Sequence, residues 1–353
     1  MGKHKTVFVG LSGGVDSSVA ALRLTRAGYR VVGVFIKVWH PPFLTCNWEA
    51  ERVDAMRVAA HLNIPFLTCD AAARYEADVA RYFISEYAAG RTPNPDVMCN
   101  QHIKFGAFLT FARAHGADAI ATGHYARRSE HAGAPALMRG VDTAKDQSYF
   151  LWHLTPAQLI HTHFPVGDTP KADIRAEAAD AALPTATKHD SQGICFLGHV
   201  DVRHFLGRYL DLQRGPVRTL AGETIGEHAG AVCYTPGQRH GLTITDPTPD
   251  APPLYVVRTD PHENIVFVSP EPPHLAPGET ISLGQVLLRE PLLPGAELLA
   301  QTRYRQKPFP VTVIASDADQ LTLRTHVHTS AAAPGQSCVL YRGERCVGGG
   351  IIA

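Results

Sequence analysis

The sequence predicts an α/β protein: an N-terminal doubly wound parallel sheet, a small central β-rich domain and a C-terminal β-barrel. Three observations carry this. Near the N-terminus a short apolar strand runs into a glycine-rich turn and then a helix. Over roughly the first 200 residues, strand-like and helix-like periodicities alternate, as expected for a parallel sheet covered on both faces. After Leu210 helical periodicity gives way to short apolar runs broken by Gly and Pro.

The elements follow in order. Val7-Phe8-Val9-Gly10 is the first strand, and residues 17–27 carry apolar positions at helical spacing up to Gly28. Residues 31–38 are nearly apolar throughout, the mark of a strand buried on both faces. Helices are predicted over 47–62, with Asn47 as cap, and over 72–89, 100–115 and 171–182, the last ended by Leu183-Pro184. Strands are predicted over 64–67 and 117–122. Beyond Leu210, strands are expected at 219–225, 231–234, 254–259 and 264–268, with a Pro-rich boundary at 270–277. Strands at 281–288, 297–303, 311–316, 320–327 and 337–341 follow without an intervening helix, as in a small barrel. The expected domains are 1–205, 206–275 and 276–353.

Composition limits the function. The chain has 353 residues, 45% of them hydrophobic, enough for a sizeable core. With 33 basic and 33 acidic residues it has no net charge, so a nucleic-acid surface must come from local clustering. The sequence lacks a long apolar run and a signal-peptide core, so a cytoplasmic protein with no membrane association is expected. Seven cysteines are scattered without a Cys-x-x-Cys pair, which argues against a disulfide scaffold or zinc ribbon; no metal site is expected.

The strongest local signal is Ser12-Gly13-Gly14-Val15-Asp16-Ser17-Ser18 at the first strand–helix junction. Such a turn exposes backbone N–H groups beside the positive end of a helix dipole and favours phosphate. Ser12, Ser17 and Ser18 add hydroxyl donors. Asp16 either orients magnesium on the phosphates or hydrogen-bonds the loop. The Gly-x-x-x-x-Gly-Lys-Ser/Thr and Gly-x-Gly-x-x-Gly patterns are both missing, so neither a motor-type NTPase nor a dinucleotide dehydrogenase is supported. The bland alternative is a Ser/Gly turn in which Asp16 or Ser17 caps the helix.

Two cysteines stand out. Cys99 follows the rigid segment Asn94-Pro95-Asp96 and precedes a helix predicted to open at Asn100. A thiol at a helix N-terminus has more thiolate character, and Asp96 is close enough in sequence to exchange a proton. Cys195 lies in a polar, glycine-containing stretch, Asp190-Ser191-Gln192-Gly193-Ile194-Cys195. Either could instead be a small core residue. Two reactive thiols beside an ATP loop suggest activation of an oxygen followed by sulfur transfer through thiolate attack on an S–S bond.

In its ordered motifs the chain resembles the bacterial-type tRNA-specific 2-thiouridylases of the PP-loop superfamily. The strings are SGGVDSS at 12–18, NPDVMCN at 94–100, IKF at 103–105, GHYAR at 123–127, KDQSYFL at 145–151, DSQGICFLG at 190–198, YTPGQRHGL at 234–242 and APGQSCVLY at 333–341. The resemblance spans essentially the whole chain. It implies a PP-loop (adenine nucleotide alpha hydrolase-like) sheet and ATP bound on Gly10, Leu11, Ser12, Gly13, Gly14, Val15, Asp16 and Ser17, with Ile36 at the nucleobase and Gly123 beside the nucleotide. Magnesium is expected with the ATP. Asn94, Pro95 and Asp96 match the segment around the flipped target base, with Asp96 as acid/base. Cys195 matches the persulfide cysteine, and Cys99 the nucleophile that acts on the persulfide or forms a transient disulfide. His124, Lys145, Asp146, Gln147, Arg303, Tyr304 and Gln336 match tRNA contacts. The implied product is 2-thiouridine at the wobble position of tRNAs for lysine, glutamate and glutamine. The implied partners are tRNA and a sulfur donor, either a cysteine desulfurase or a relay protein, with the enzyme a monomer.

Base chemistry requires the base to leave its stack. Arg303, Tyr304, Arg305 and Lys307 form a basic cluster with an aromatic, suited to RNA. Pro236 stands where the family more often has Ile, and Gln192 where it more often has Thr; the arginines around Tyr304 leave the detailed footprint open. The rivals are another PP-loop tRNA thiolase, a nucleotide-activating ligase or a non-catalytic RNA-binding homologue. A 4-thiouridine type would carry an additional RNA-binding domain ahead of the loop, and a 2-thiocytidine type a Cys-x-x-Cys. A ligase would not need the two cysteines, nor a binding protein the loop, Asp96 and both thiols.

Overall fold

A computed structural model of the chain describes residues 5–44, 48–189, 201–245 and 252–353. They fall into two compact units. The first comprises 1–79, 95–199 and 342–347, the second 80–94, 200–341 and 348–353.

The first unit is built on a parallel sheet. Its strands are β1 (Thr6–Gly10), β2 (Arg30–Lys37), β3 (Phe66–Asp70), β4 (Ala119–Ala121) and, after a hairpin of β5 (Ala126–His131) and β6 (Ala134–Arg139), β7 (Thr162–His163). The order is β3-β2-β1-β4-β7, every pairing parallel. The order reverses beside β1, and in such sheets ligands bind beyond the carboxyl ends of the strands at that crevice. Helix α1 (Val15–Arg26) begins there, and α2 (Trp48–His61) follows β2. Val7, Val9, Val19, Leu22, Val31 and Ala55 form the core with Ile174 and Ala178 of helix Lys171–Asp180. The β5–β6 hairpin, absent from the predicted elements, pairs through Leu137 and Met138 with Cys346 and Arg345.

The predicted helix over 72–89 is present but widens to a π-helix at Glu76–Ala80 between α-helical pieces Ala72–Tyr75 and Arg81–Ala88. The helix expected to open at Asn100 starts earlier, at Pro95. Pro95–Met98 is α-helical, Cys99–Ala107 is a π-helix, and Phe108–Ala114 returns to α. Proline suits a first helical position because its missing N–H has no partner to lose there.

In the second unit, helix Arg81–Ala88 places Phe83 6.0 Å from Phe205. A mixed sheet holds β8 (Gly215–Thr219), β9 (Thr224–His228), β10 (Thr243–Ile244), β11 (Tyr255–Asp260) and β12 (Ile265–Ser269) in the order β10-β9-β8-β12-β11. The stretch expected as one strand over 219–225 instead runs from the end of β8 through a turn at 220–223 into β9, and Gly222 takes φ 92° in that turn. Residues expected as a strand at 231–234 instead form a 3₁₀ turn, Ala231–Cys233. The Pro-rich stretch 270–277 contains a two-residue strand, β13 (His274–Leu275).

The remaining strands are β14 (Thr280–Leu288), β15 (Glu297–Gln301), β16 (Phe309–Ser316), β17 (Leu321–Thr325), β18 (Thr329–Ser330), β19 (Ser337–Arg342) and β20 (Arg345–Ile352). β13 pairs with β18. The order β14-β17-β16-β15-β19-β20, with β14 also paired to β20, closes a six-stranded barrel. Strand β20, not predicted, closes it through glycine: a Cβ on Gly348 would lie 2.1 Å from the Leu287 carbonyl oxygen. Among the described residues no helix is long and apolar enough to cross a membrane.

Candidate active site

The loop 12–18 leaves β1 and enters α1 without a side-chain cap at Gly14. Gly13 takes φ 72°, and a Cβ there would come within 2.7 Å of the Glu51 carbonyl oxygen, so the loop lies tightly on α2. Gly123, beyond β4, abuts the loop from the other side: its Cβ would sit 2.6 Å from the Ser17 nitrogen. Gly10 and Ile36 are neighbours at the ends of β1 and β2, with a Gly10 Cβ 3.5 Å from Ile36 Cδ1. Leu11 and Val15 bury their side chains in the core and leave their backbone to the loop. The expected nucleotide residues thus gather at one place, at the carboxyl ends of the central strands.

The hydroxyls divide. Ser12 and Ser17 pair Oγ to Oγ at 3.2 Å, and Ser17 donates to the Gly14 carbonyl at 3.1 Å. Ser18, expected as a phosphate donor, is fully buried; it donates to the Gly14 carbonyl at 2.7 Å and pairs with Thr185 Oγ1 at 2.9 Å. It holds the loop rather than facing a ligand.

Asp16 is tied down. Lys171 Nζ donates to its two oxygens at 2.6 and 2.8 Å, and the Tyr125 hydroxyl donates to Oδ1 at 2.7 Å. Neither the capping role nor an open carboxylate is seen. No local sequence pattern gives a role to Lys171, whose partner lies 155 residues away, or to Tyr125. On the α2 side, Lys188 donates to Asp54 Oδ2 at 2.8 Å.

The second locus lies in the first unit around the π-helix Cys99–Ala107. Cys99 is buried one turn inside the helix that starts at Pro95, not at its N-terminus. Burial pushes the Asp96 carboxyl above its usual range, and the Lys104 charge opposes this. Burial likewise holds the His124 imidazole well below its usual value, helped by Lys104, so the ring is neutral at pH 7. His124 Nδ1 lies 2.8 Å from Thr122 Oγ1, and its ring is 5.7 Å from Phe105 and 6.5 Å from Phe164. Lys104 therefore acts on both Asp96 and His124. It falls five residues after Cys99, about one turn of a π-helix. The IKF string contained it, but no local pattern gave it a role.

The other expected tRNA contacts are engaged within the chain. Asp146 accepts from the Gly140 and Ser148 nitrogens, each at 3.0 Å, and from Ser148 Oγ. Gln147 Oε1 accepts from the Tyr125 nitrogen at 2.9 Å, and the Lys145 nitrogen donates to the Asp142 carbonyl. In the second unit, Gln336 Nε2 donates to the Thr92 carbonyl at 3.0 Å, two residues before Asn94. Arg303 donates to the Pro236 carbonyl at 2.8 Å, so the position that departs from the common family string is held by an arginine of the basic cluster. Arg305, with φ 65°, lies over the Tyr304 ring at 5.4 Å.

The described cysteines Cys69, Cys99, Cys233, Cys338 and Cys346 are all buried. Burial pushes the Cys69 and Cys233 thiols up to about 11 and Cys338 to about 12, which makes them poor nucleophiles. Cys195 lies outside the described residues.

Three family models match the chain: a tRNA methyl transferase HUP domain over residues 5–199, a tRNA methyl transferase PRC-barrel domain over 203–270 and an aminomethyltransferase beta-barrel domain over 290–352. The tRNA-specific 2-thiouridylase MnmA of Proteus mirabilis is 45% identical over 359 residues, covering 99% of this chain and 97% of that protein. Its counterpart in Escherichia coli O1:K1 is 46% identical over 360 residues, covering 99% and 96%. That of Ralstonia nicotianae is 46% identical over 359 residues, with the same coverage.

Proposed function

The chain belongs to the tRNA-specific 2-thiouridylase family, and we propose that it uses ATP to activate the C2 oxygen of the wobble uridine in tRNAs for lysine, glutamate and glutamine and replaces that oxygen with sulfur. It is an ATP-dependent sulfurtransferase. The observation that carries the reading is the full-length likeness to thiouridylases.

In this reading the uridine oxygen attacks the α-phosphorus of ATP and pyrophosphate leaves. The terminal persulfide sulfur on Cys195 attacks C2 and AMP leaves with the oxygen. The Cys99 thiolate then attacks the Cys195 sulfur, the S–S bond to the product sulfur breaks, and 2-thiouridine is released. The resulting Cys99–Cys195 disulfide is transient and is reduced by an external thiol. Asp96, with its raised carboxyl, supplies or takes the proton at the base. The amides of the 12–18 loop and the first turn of α1 hold the phosphates, supported by the uncapped helix start and the close-fitting glycines. Magnesium bound with the ATP would screen the charge of its phosphates.

We assign Asn94 and Pro95 to the flipped base, and His124, Lys145, Asp146, Gln147, Arg303, Tyr304 and Gln336 to tRNA recognition, in part by shaping the segments that touch it. The functional division 1–205, 206–275 and 276–353 belongs to the same reading, as does a monomer charged by a cysteine desulfurase or sulfur-relay protein. The test is incubation with ATP, a persulfide donor and unmodified tRNA, followed by nucleoside mass analysis. Oxygen-to-sulfur exchange at the wobble uridine is expected; an added methyl group, or sulfur at another base or atom, would refute the reading.

A further inference from the structure

Lys171 is the first residue of helix Lys171–Asp180. A cation there meets the positive end of the helix dipole, an unfavourable place for it. Its side chain is only 10% exposed, against 29% for Asp16. A nearly buried lysine at the wrong end of a helix needs a strong partner, and it has one: both Asp16 oxygens, at 2.6 and 2.8 Å. Tyr125 completes the arrangement, with its hydroxyl 2.7 Å from Asp16 Oδ1 and its ring centroid 5.6 Å from Lys171 Nζ. The helix is itself fixed to α1, since Arg23 pairs with Glu177 at 2.7 Å and Ile174 and Ala178 share the α1 core.

Asp16 presents the opposite problem. It stands in the first turn of α1, at a helix start that suits an anion. A bare carboxylate there would repel a triphosphate. We propose that Lys171, braced by Tyr125, is a positioning residue of the nucleotide step: it neutralises Asp16 and fixes the carboxylate, so that the 12–18 loop keeps its attraction for phosphate. Lys171 acts through Asp16 and not as a phosphate ligand, since it is the less exposed of the pair. The proposal rests on the reading of this loop as the ATP site.

The test is a double-mutant cycle on the full chain, read by titration with a fluorescent ATP analogue and magnesium, and in parallel by tRNA affinity. Lys171→Met should weaken nucleotide binding about tenfold or more and leave tRNA affinity within about twofold. Asp16→Asn in the Lys171→Met background should restore nucleotide binding by about fivefold, because it removes the uncompensated charge. Nucleotide binding by Lys171→Met equal to wild type, or a double variant no tighter than Lys171→Met, overturns the proposal. Should Lys171→Met fail to fold, Tyr125→Phe keeps the ring and removes one brace. It should weaken nucleotide binding about threefold or more with tRNA affinity retained, and unchanged nucleotide binding refutes the bracing role. A wild-type chain that binds no ATP would refute the site assignment itself, a separate outcome.

Discussion

Lys171 Nζ lies 2.6 Å from Oδ1 and 2.8 Å from Oδ2 of Asp16, so one ammonium spans both oxygens of the loop carboxylate. Asp16→Ala removes both of these contacts from the ammonium. The pair lies between the surface and buried limits, and its loss should cost about 1–3 kcal/mol of stability. The same variant should lower ATP-dependent adenylation about tenfold or more and leave tRNA affinity nearly intact. Urea denaturation and pyrophosphate release measure the two effects; normal adenylation with disordered Lys171 would contradict them.

Gly123→Ala should be more selective. Its new Cβ would sit 2.6 Å from the Ser17 nitrogen and 2.7 Å from the Asp16 carbonyl carbon, and backbone cannot yield to it without moving the loop. The expected result is a KM for ATP raised about tenfold or more, with the KM for tRNA within about twofold. Steady-state kinetics with each substrate varied in turn decide it.

Cys195→Ser should abolish thiolation and leave tRNA binding nearly unchanged, because a hydroxyl cannot carry a persulfide. Cys99→Ser should also stop turnover, and trapping should then catch the sulfur still on Cys195 or on its tRNA adduct. Product from either variant removes that cysteine from the mechanism.

Asp96 and His124 set opposite pH windows. The folded pKa of His124 lies well below the ordinary 6.5, so its contribution to stability is complete above that value and is lost as pH falls through it toward the folded pKa. His124→Gln should therefore flatten the acid side of the stability profile by up to one proton, about 1.4 kcal/mol per pH unit. Asp96 has a raised folded pKa, so its contribution is present below the ordinary 3.8 and lost as pH rises through the folded value. Asp96→Asn should then stabilise the fold at pH 7 while removing turnover. Thermal melts from about pH 3 to about pH 8, a range that takes in both ordinary values, check both signs.

The parts of this molecule that could be read in advance are those whose information is contiguous. The 12–18 loop is a strand, a turn and a helix start in one string, and its glycines sit where backbone meets backbone. The parallel sheet followed from nearly unbroken apolar runs such as β2. Lys171 could not be found this way, because nothing near it in sequence mentions Asp16. The helix start at Pro95 was readable from a proline at a first helical position; the two prolines around Asn94 suggested a loop instead. Gly222 signals the turn within 219–225, although the residues on either side of it read as one strand. Strand β20 was missed because Gly348-Gly349-Gly350 lacks the apolar alternation of a strand, although close approach of β14 demands glycine there.

The widened segment Cys99–Ala107 has a consequence for how the enzyme tolerates change in length. A wide turn holds one residue more than an α-turn needs. Deleting a single residue, for example Gly106, would let the hydrogen bonds fall back to α spacing without breaking the helix. Partners five apart across residue 106 would become partners four apart, so the flanking segments would keep their bearings and Cys99 would stay on its present side of the helix. The same deletion in the plain α-helical stretch Phe108–Ala114 would instead turn everything on its N-terminal side by about 100° and carry Cys99 with it. The wide turn is thus slack in the chain, room to lose one residue without re-aiming the thiol.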